Sequence, residues 1–326
     1  MSMRRIDDPD TVSMSVPINT GKNGYVGREC PDCHKYFKVT PGTGLTGSDL
    51  PCICPYCGRK GPSDDFSTQD QKEYAKSVAV QDIEGDLNNM LKKLEFDTGP
   101  VGSFGIGMSL KVDHWSAPPL HVYEEKDLET YVECPSCSLK YAVYGVFAYC
   151  PDCGQHNSLQ ILTRNLDIVS KELDIAASSD ADVCGALVAN ALEDCVSAFD
   201  GFGREICHIH AGDALANAPK IDTLSFQSLS GARTTVKNVF GIDFAAACTT
   251  EDWDAAVRNF QKRHVLSHKS GVVDEEYVRK SGDTSTPVGH KLVIEPSEVR
   301  QLTRTLVALG TDLAASLADI HHEEKS

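Results

Sequence analysis

The chain lacks any long apolar run. Across its 326 residues no stretch approaches the roughly 18 consecutive apolar residues of a membrane-spanning helix. The first ten residues contain two arginines but no apolar segment of the kind found in secretory signals. These two absences predict a cytoplasmic protein with no membrane partner.

Basic residues are also scarce. Lysine and arginine total 31 against 47 aspartates and glutamates, a formal net charge of −16. This acidity excludes a protein that coats duplex nucleic acid through a broad basic surface, although it leaves room for a local basic site. The 41% hydrophobic and 24% charged fractions exclude a mainly disordered chain, a collagen and a coiled-coil rod. The length predicts two or three domains.

Cysteine, in contrast, is abundant. Thirteen are present, and eight of them form four Cys-Pro-x-Cys pairs. In a reducing compartment, paired thiols at such spacings indicate metal binding rather than disulfides. A thioredoxin-like redox pair is the competing interpretation, and four such pairs in order disfavour it. The pairs are Cys30 and Cys33, Cys54 and Cys57, Cys134 and Cys137, and Cys150 and Cys153.

Tetrahedral zinc coordination explains this spacing. Two thiolates separated by two residues in a tight turn can bind one ion at about 2.3 Å. Proline sets φ at the turn entry, and Gly58 and Gly154 permit a left-handed residue after the last cysteine of each set. The sequence therefore predicts two zinc ribbons, each with one structural Zn²⁺ and no open coordination position, and no catalytic metal. Cys52 is either an alternative ligand or a packed thiol.

The predicted fold class is α+β and multi-domain, with small β zinc ribbons in the N-terminal half and an all-α up-and-down bundle in the C-terminal half. The boundaries follow the cysteine pairs and the change to helical periodicity near 157. The predicted segments are a flexible tail at 1–24, zinc ribbon 1 at 25–60, a helical connector at 61–98, a small β region with zinc ribbon 2 at 99–157, a connecting helix at 158–180 and the bundle at 181–326.

The connector is predicted to be a helix over 67–94, opened by a capping box of Ser67 and Asp70. Its apolar face is predicted to be core. The glycine-rich stretch 99–107 has no following Gly-Lys-Ser/Thr, so bends are predicted there rather than a phosphate loop. Short strands are predicted near 106–113, 119–124 and 129–133. The predicted core positions of the helix are Ile83, Leu87, Met90, Leu91 and Leu94.

Helical periodicity dominates after residue 157. The pattern from Leu159 to Leu173 indicates a short coiled-coil seam or a helix packed on the next domain. Four main helices follow, and the unpaired cysteines among them are predicted to be buried packing residues. Those cysteines are Cys184, Cys195, Cys207 and Cys248. The helices are predicted at 178–212, with an N-cap within Ser178-Ser179-Asp180, at 226–240, ending at Gly241, from an N-cap at Thr249 to about 270, and from Pro296 onward.

The third of these helices ends with Arg263, His264 and His268, before the turn Gly271-Val-Val-Asp274 and Tyr277. This arrangement resembles the HEPN superfamily, whose ribonuclease members have an arginine, a polar residue, three variable residues and a histidine near the end of a bundle helix. The helix count and order of 181–326 are similar too. His264 stands at the polar position, where asparagine is commoner.

The chemistry of these residue types agrees with RNA cleavage. Histidine titrates near neutral pH and can act as a base or an acid, and arginine presents a planar fork of donors to phosphate oxygens. The resemblance implies a homodimeric, metal-independent endoribonuclease of toxin or phage-defence type that forms 2′,3′-cyclic phosphate and 5′-OH ends. His268 would be the acid/base, Arg263 the phosphate clamp and His264 an orienting or second acid/base group. Lys262 and Lys269 are expected to guide the RNA backbone.

Other interpretations of the same residues stay open. His264 and His268 could bind a metal, although no third ligand is evident. The bundle could be a non-catalytic module that binds RNA or nucleotide, or the chain could be a zinc-built protein–protein adaptor. The zinc ribbons would then recognise RNA or a protein partner. The remaining histidines considered are predicted to be exposed polar residues without partners: His208, His210, His290, His321 and His322.

Overall fold

A computed structural model describes residues 3–8, 11–18, 20–21, 23–97, 108–113, 115–215, 221 and 224–323. The chain divides into two compact units, Met1–Gln155 and His156–Ser326. The N-terminal unit contains all the described strands and one long helix, and the C-terminal unit is helical. The chain is therefore α+β with a helical C-terminal part, as predicted. No helix among the described residues is long and apolar enough to cross a membrane.

One four-stranded antiparallel sheet forms the centre of the N-terminal unit, in the order β3-β4-β8-β7. Separate ribbons were expected at 25–60 and 99–157, but Lys38 pairs with Ala142 and Val39 with Tyr141, joining the two hairpins. An isolated two-stranded hairpin is marginal in water, and joining the two completes one sheet and one buried face. The strands are β3 (Val26–Glu29), β4 (Tyr36–Val39), β7 (Thr130–Glu133) and β8 (Lys140–Val143).

Two smaller hairpins lie outside this sheet, one before it in sequence and one between its two halves. β1 (Met3–Asp8) and β2 (Thr11–Ser15) pair within the segment predicted to be a flexible tail. The segment therefore contains a hairpin where a flexible tail was predicted. Apolar Ile6 and Val12 occupy directly paired positions in it. The second hairpin consists of β5 (Phe96–Asp97) and β6 (Ser109–Leu110). The glycine-rich prediction at 99–107 lies outside the described residues.

The long helix of this unit, α1, spans Gln69–Lys92. Its capping box is formed by Thr68 and Gln71, one residue later than the predicted Ser67 and Asp70. The predicted box is wrong because Ser67 remains in the preceding turn, where its N–H donates to the carbonyl of Asp64 at 3.1 Å. Glutamine at the third helical position can return the hydrogen bond to the cap just as glutamate does.

The prediction that the apolar face of α1 is core is also wrong. Ile83, Leu87, Met90 and Leu94 are 57%, 43%, 66% and 60% exposed. The segment 115–125 covers a different side of α1, the side that contains Ser77 and Asn88. His121 N–H donates to Ser77 Oγ at 3.0 Å, and Asn88 Nδ2 donates to the carbonyl of Trp115 at 3.1 Å. This segment includes 119–124, where a strand was expected and none forms, because its N–H groups and carbonyls bond helix side chains instead of a strand.

The C-terminal unit is built from long amphipathic helices that share one core. Several predicted ends are confirmed: Asp180 and Thr249 are N-caps, Gly241 is a left-handed C-cap, and Pro296 is the first helical residue. The helices are α2 (Ser158–Ala177), α3 (Ala181–Ile209), α4 (Leu229–Phe240), α5 (Thr250–Lys269), α6 (Glu275–Ser281) and α7 (Pro296–Glu323).

Helix α2 belongs to this core and is not a separate connector. Leu162, Leu166, Val169 and Leu173 are buried against the other helices. Of the two predicted alternatives, the packed helix is therefore confirmed. The predicted packing role of the cysteines is also met, because Cys195 and Cys207 are fully buried and Cys184 and Cys248 pack partly buried against the core.

Helix α3 offers a test of this packing. A Cβ added at Gly203 would lie 2.5 Å from the Phe226 ring, whereas one at Gly201 meets no described atom within 4 Å. We expect Gly203→Ala to lower the free energy of unfolding by about 1–3 kcal/mol through overpacking. Gly201→Ala should be neutral or stabilising by up to about 1 kcal/mol. Urea unfolding followed by circular dichroism separates the two variants, and equal stability would contradict the packing described.

Candidate metal and catalytic sites

The structure brings the eight predicted cysteines together as two clusters of four. In each cluster the Sγ atoms all lie within 4.8 Å of one another. The closest Sγ pairs are 3.5–3.7 Å apart. A regular tetrahedron with Zn–S bonds of about 2.3 Å has S–S edges of about 3.8 Å. The clusters are therefore close to the size that one tetrahedral ion requires, and much too open for disulfides, whose S–S bond is about 2.05 Å.

The same backbone turn positions all four cysteine pairs. In each, the N–H four residues after the first cysteine donates to that cysteine's carbonyl, as from His34 to Cys30 at 2.9 Å. The first cysteine's own N–H donates to the carbonyl five residues on, as from Cys54 to Arg59 at 2.8 Å. These two bonds close a tight loop that points both thiols inward. Because the loop is made by main-chain atoms, it depends on spacing more than on the intervening side chains.

A left-handed residue follows every pair. Gly58 and Gly154 have φ of 70° and 77°, as predicted from their glycines. His34 and Ser138, at the same place in the other two turns, have φ of 56° and 61°. The left-handed φ of His34 and Ser138 could not be predicted, because glycine is the residue that normally indicates this conformation.

Burial sets the electrostatics of the clusters. Cys30, Cys54, Cys134, Cys137 and Cys150 are buried, and burial raises the pKa of the Cys54 and Cys150 thiols. Four thiolates cannot share such a volume without a cation, so a bound divalent ion is what would keep them deprotonated. All four positions are sulfur, which suits zinc in a closed, structural role. Cys52 is not a member of either cluster and packs half-buried beside the first.

The second candidate site lies at the end of α5. The Arg263 side chain is half-buried, and its Nε is enclosed without a hydrogen-bond partner. Its guanidinium forms no ion pair or hydrogen bond with any residue the structure describes. Arginine holds its charge at all relevant pH values. Arg263 is therefore a cation that the described part of the chain leaves unmatched.

His264 follows this arginine in the sequence, and His268 lies about one helical turn beyond His264 on α5. Their ring centroids are 4.7 Å apart with the planes tilted by 50°. Burial, then the nearby charges of His268 and Lys269, lower the pKa of His264 below its usual 6.5. At neutral pH His264 is a neutral imidazole able to accept a proton, and His268 is exposed to solvent.

The two lysines expected to guide RNA are engaged elsewhere. Lys262 is buried, and its ammonium donates to both carboxylate oxygens of Glu298 at 2.8 Å. Lys269 bonds Asp274 and, at 3.1 Å, Glu276. Both lysines are matched by carboxylates and fasten neighbouring segments to α5, so their role in guiding RNA stays a prediction.

The Gly-Val-Val-Asp segment is a structural element of this helix end. Asp274 accepts from the N–H of Tyr277 at 2.9 Å and so caps α6, and the Tyr277 hydroxyl donates to Asp283 at 2.6 Å. Val265 and Val273 pack with Tyr277 in a small buried cluster. These contacts fix the path of the chain directly after His268.

A metal bound by His264 and His268 would need a third ligand, and none of the described residues supplies one. Among the described residues, the groups of three or more potential ligands are the two cysteine clusters. The paired histidines alone do not make a site of the usual three or four protein ligands.

One cluster of titratable groups was missed from the sequence. His210, predicted to lack a partner, has its Nδ1 3.0 Å from Asp213 Oδ2, and the buried His156 has its Nε2 3.5 Å from Glu205 Oε1. Burial, and then the charge of His210, lower the pKa of His156 to about 4. His156 and Glu205 are 49 positions apart in the sequence, and no periodic signal links them.

His156 makes the stability of its unit pH-dependent. Its pKa of about 4 lies below the 6.5 of the unfolded chain, so the unfolded chain binds the proton more tightly. The contribution of His156 to the free energy of unfolding should be complete above pH 6.5. The free energy should then fall by about 3 kcal/mol as the pH drops toward 4. His156→Gln should remove this part of the pH dependence, measured by urea unfolding at several pH values. The control is His290→Gln, because His290 is exposed. Both variants keep Glu205, so the carboxylate beside His156 is the same in each.

Comparison with known proteins does not assign the chain to a family. No protein-family model, curated protein or solved structure matches this chain.

Proposed function

We propose that this protein is a metal-independent endoribonuclease of the HEPN type. The observation that supports this most is an Arg263 guanidinium without a partner among the described residues, on the same helix end as two histidines in contact, one of them held neutral at physiological pH. Such a set supplies what RNA cleavage requires, because RNA contains its own nucleophile in the 2′-hydroxyl. No metal is needed for that reaction.

The proposed chemistry is a transesterification. A neutral imidazole removes the 2′-OH proton, and O2′ attacks the adjacent phosphorus while the bond from phosphorus to O5′ breaks. Arg263 donates to the phosphate oxygens as negative charge develops. His268, exposed at the helix end, is the acid/base that takes the 2′-OH proton and returns a proton to O5′ as that oxygen leaves, and His264 serves as an orienting or second acid/base group. The products are a 2′,3′-cyclic phosphate and a 5′-OH.

A homodimer forms part of this proposal. At 100° per residue, Arg263 and His268 are separated by about 140° around α5, so one chain presents a splayed site. Two chains facing each other could bring an arginine and a histidine to one phosphate. Light scattering after size exclusion measures this directly, and a monomer that cleaves RNA would contradict it.

We propose further that both cysteine clusters are zinc ribbons and that they recognise the RNA or a protein partner. A cytoplasmic toxin or phage-defence role is the setting that the nuclease resemblance implies. The structural basis for the metal is the size and donor chemistry of the clusters described above.

The test is cleavage of a labelled single-stranded RNA by zinc-loaded full-length protein in magnesium-free buffer. Brief exposure to EDTA, with the zinc content measured afterwards, separates a catalytic ion from the structural ones. Kinase labelling of the new 5′ ends and acid opening of the cyclic phosphate identify the product chemistry. Cleavage that requires added Mg²⁺ would contradict the proposed mechanism.

The second candidate is a non-catalytic binding module. The neutralised Lys262 and Lys269 favour it, because they leave Arg263 with little cationic support for the RNA backbone. Salt-dependent RNA binding without any cleavage would support this function. Failure to bind RNA at low salt would favour a protein–protein adaptor.

A further inference from the structure

The N-terminal unit contains a cavity of about 630 Å³ that none of the preceding chemistry uses. Its lining comes from the central sheet, from α1 and from the segment 115–125 that continues toward β7. This volume lies in the range of small-molecule sites.

The sheet side of the cavity centres on Lys38. Lys38 pairs with Gly27 on one neighbouring strand and with Ala142 on the other, and Ala142 pairs with Tyr131. Directly paired residues share a face of the sheet, so the small Ala142 leaves space on one side of the lysine. On the other side, Glu125 and Tyr36 fill the space above Gly27. Lys38 is only 7% exposed, yet its ammonium forms no ion pair or side-chain hydrogen bond with any described residue.

That isolation distinguishes Lys38 from the other buried lysine, Lys262, whose charge is matched by Glu298. The Lys38 ammonium itself is not enclosed by protein, because it reaches the space of the cavity. Here the lysine faces a cavity, which is where an anionic group of a ligand could meet it.

Tyrosines form much of the wall. Tyr25 and Tyr131 meet edge to face with ring centroids 5.5 Å apart, and Tyr74 and Tyr123 do so at 6.0 Å. The Tyr123 hydroxyl is enclosed beside the Gln71 side chain. Aromatic rings of this kind contact apolar groups and also attract organic ammonium groups.

Carboxylates complete the lining. Glu124 and Asp127 are exposed, and neither forms an ion pair with a described residue, whereas Glu125 accepts hydrogen bonds from Tyr36 and Gln71. The cavity thus offers one unmatched cation and two unmatched carboxylates. A simple anion would be repelled by the carboxylates, and a simple cation would leave Lys38 unmatched.

We propose that this cavity binds a zwitterion of the α-amino-acid class. The ligand carboxylate meets Lys38, its ammonium meets Glu124 and Asp127, and its side chain packs against the tyrosines. The site is separate from the RNA chemistry of α5, so either proposal can fail without the other.

Isothermal titration of the zinc-loaded full chain with matched ligands tests this. The probes are L-phenylalanine, phenethylamine, which lacks the carboxylate, and 3-phenylpropionate, which lacks the ammonium. L-Phenylalanine is expected to bind about 10- to 100-fold more tightly than either analogue, because each lost charge removes a charge-assisted hydrogen bond. Lys38→Met should weaken L-phenylalanine to the level of phenethylamine, while Lys140→Met, on the neighbouring strand and 51% exposed, should leave it unchanged.

Three results would overturn the proposal. These are phenethylamine binding as tightly as L-phenylalanine, guanosine binding more tightly than either, or no heat from L-phenylalanine and L-leucine at about 10 mM. The ligand series uses the unmodified protein, so it decides the matter even if Lys38→Met fails to fold. Zinc content and thermal unfolding of each variant show whether it folds.

Discussion

Removing the metal is expected to unfold the N-terminal unit and leave the C-terminal unit folded. Structural zinc sites of this kind contribute about 10–16 kcal/mol of apparent binding free energy, as much as the whole stability of a domain. The buried clusters form much of the N-terminal core, with Phe37, Leu139 and Tyr141 around them. Without a cation, the buried thiolates would have to take up protons or be exposed to water.

The two tryptophans make this measurable in the full chain. Trp115 lies in the N-terminal unit and Trp253 packs against Phe244 in the C-terminal one. With excess chelator, a Trp253→Phe variant should show Trp115 fluorescence of an unfolded segment, while a Trp115→Phe variant should retain native Trp253 fluorescence. The helical circular dichroism should largely persist. An N-terminal unit that remains folded and metal-free would refute the structural role.

Single thiol substitutions sharpen the same prediction. Cys54→Ser should reduce the zinc content, measured by mass spectrometry, from two ions per chain to one or fewer. Because the two hairpins share one sheet through Lys38 and Ala142, loss of the first site should also weaken the second. Cys52→Ser, two residues away and outside the cluster, is the matched control and should retain two ions.

Arg263→Ala and His268→Ala are each expected to reduce RNA cleavage by about 10²- to 10⁴-fold. General acid–base catalysis by one positioned side chain is worth about that range, and removing a cation from the developing phosphate charge has a similar effect. Neither substitution should change the fold, because neither side chain hydrogen-bonds or ion-pairs with a described residue and His268 touches only the ring of His264 among the contacts described. Initial rates on one labelled RNA, at saturating and limiting substrate, provide the comparison.

Controls for this experiment lie in the same unit. Arg258→Ala changes a half-buried arginine on the same helix, and His290→Ala changes an exposed histidine. Both should retain full activity. Cleavage that survives the two site substitutions would refute the site assignment, whereas RNA binding without cleavage by the unaltered chain would favour the non-catalytic module. Because the pKa of His264 is lowered by burial and neighbouring charges, activity that uses its neutral form should extend below pH 6.5.

Local signals account for what could be predicted correctly. Helix ends at Asp180, Gly241, Thr249 and Pro296 follow from capping chemistry and from the fixed φ of proline, which act within one turn. The cysteine clusters follow from spacing, because a Cys-x-x-Cys turn brings its own two thiols together. These features depend on contacts between residues that are close in sequence.

The errors concern contacts between residues far apart in sequence. The apolar residues of α1 satisfy a helical period, which predicts one apolar face but does not say whether anything covers it. The segment 115–125 covers another side, through hydrogen bonds that leave no periodic trace. Lys262 and Lys269 showed a basic cluster in sequence, and only folding revealed the carboxylates of Glu298 and Asp274 that neutralise them.

The sequence by itself therefore determined the two-part composition of this protein, the eight thiols that form its clusters, and the position of Arg263, His264 and His268 at a helix end. Tertiary structure decided that both cysteine clusters pack into the core of one sheet, that the lysines beside Arg263 are already paired, and that Lys38 lines a cavity with no ion-pair partner among the described residues. The physical reason is that spacing and capping act over a few residues, whereas burial and charge pairing depend on which distant segments meet.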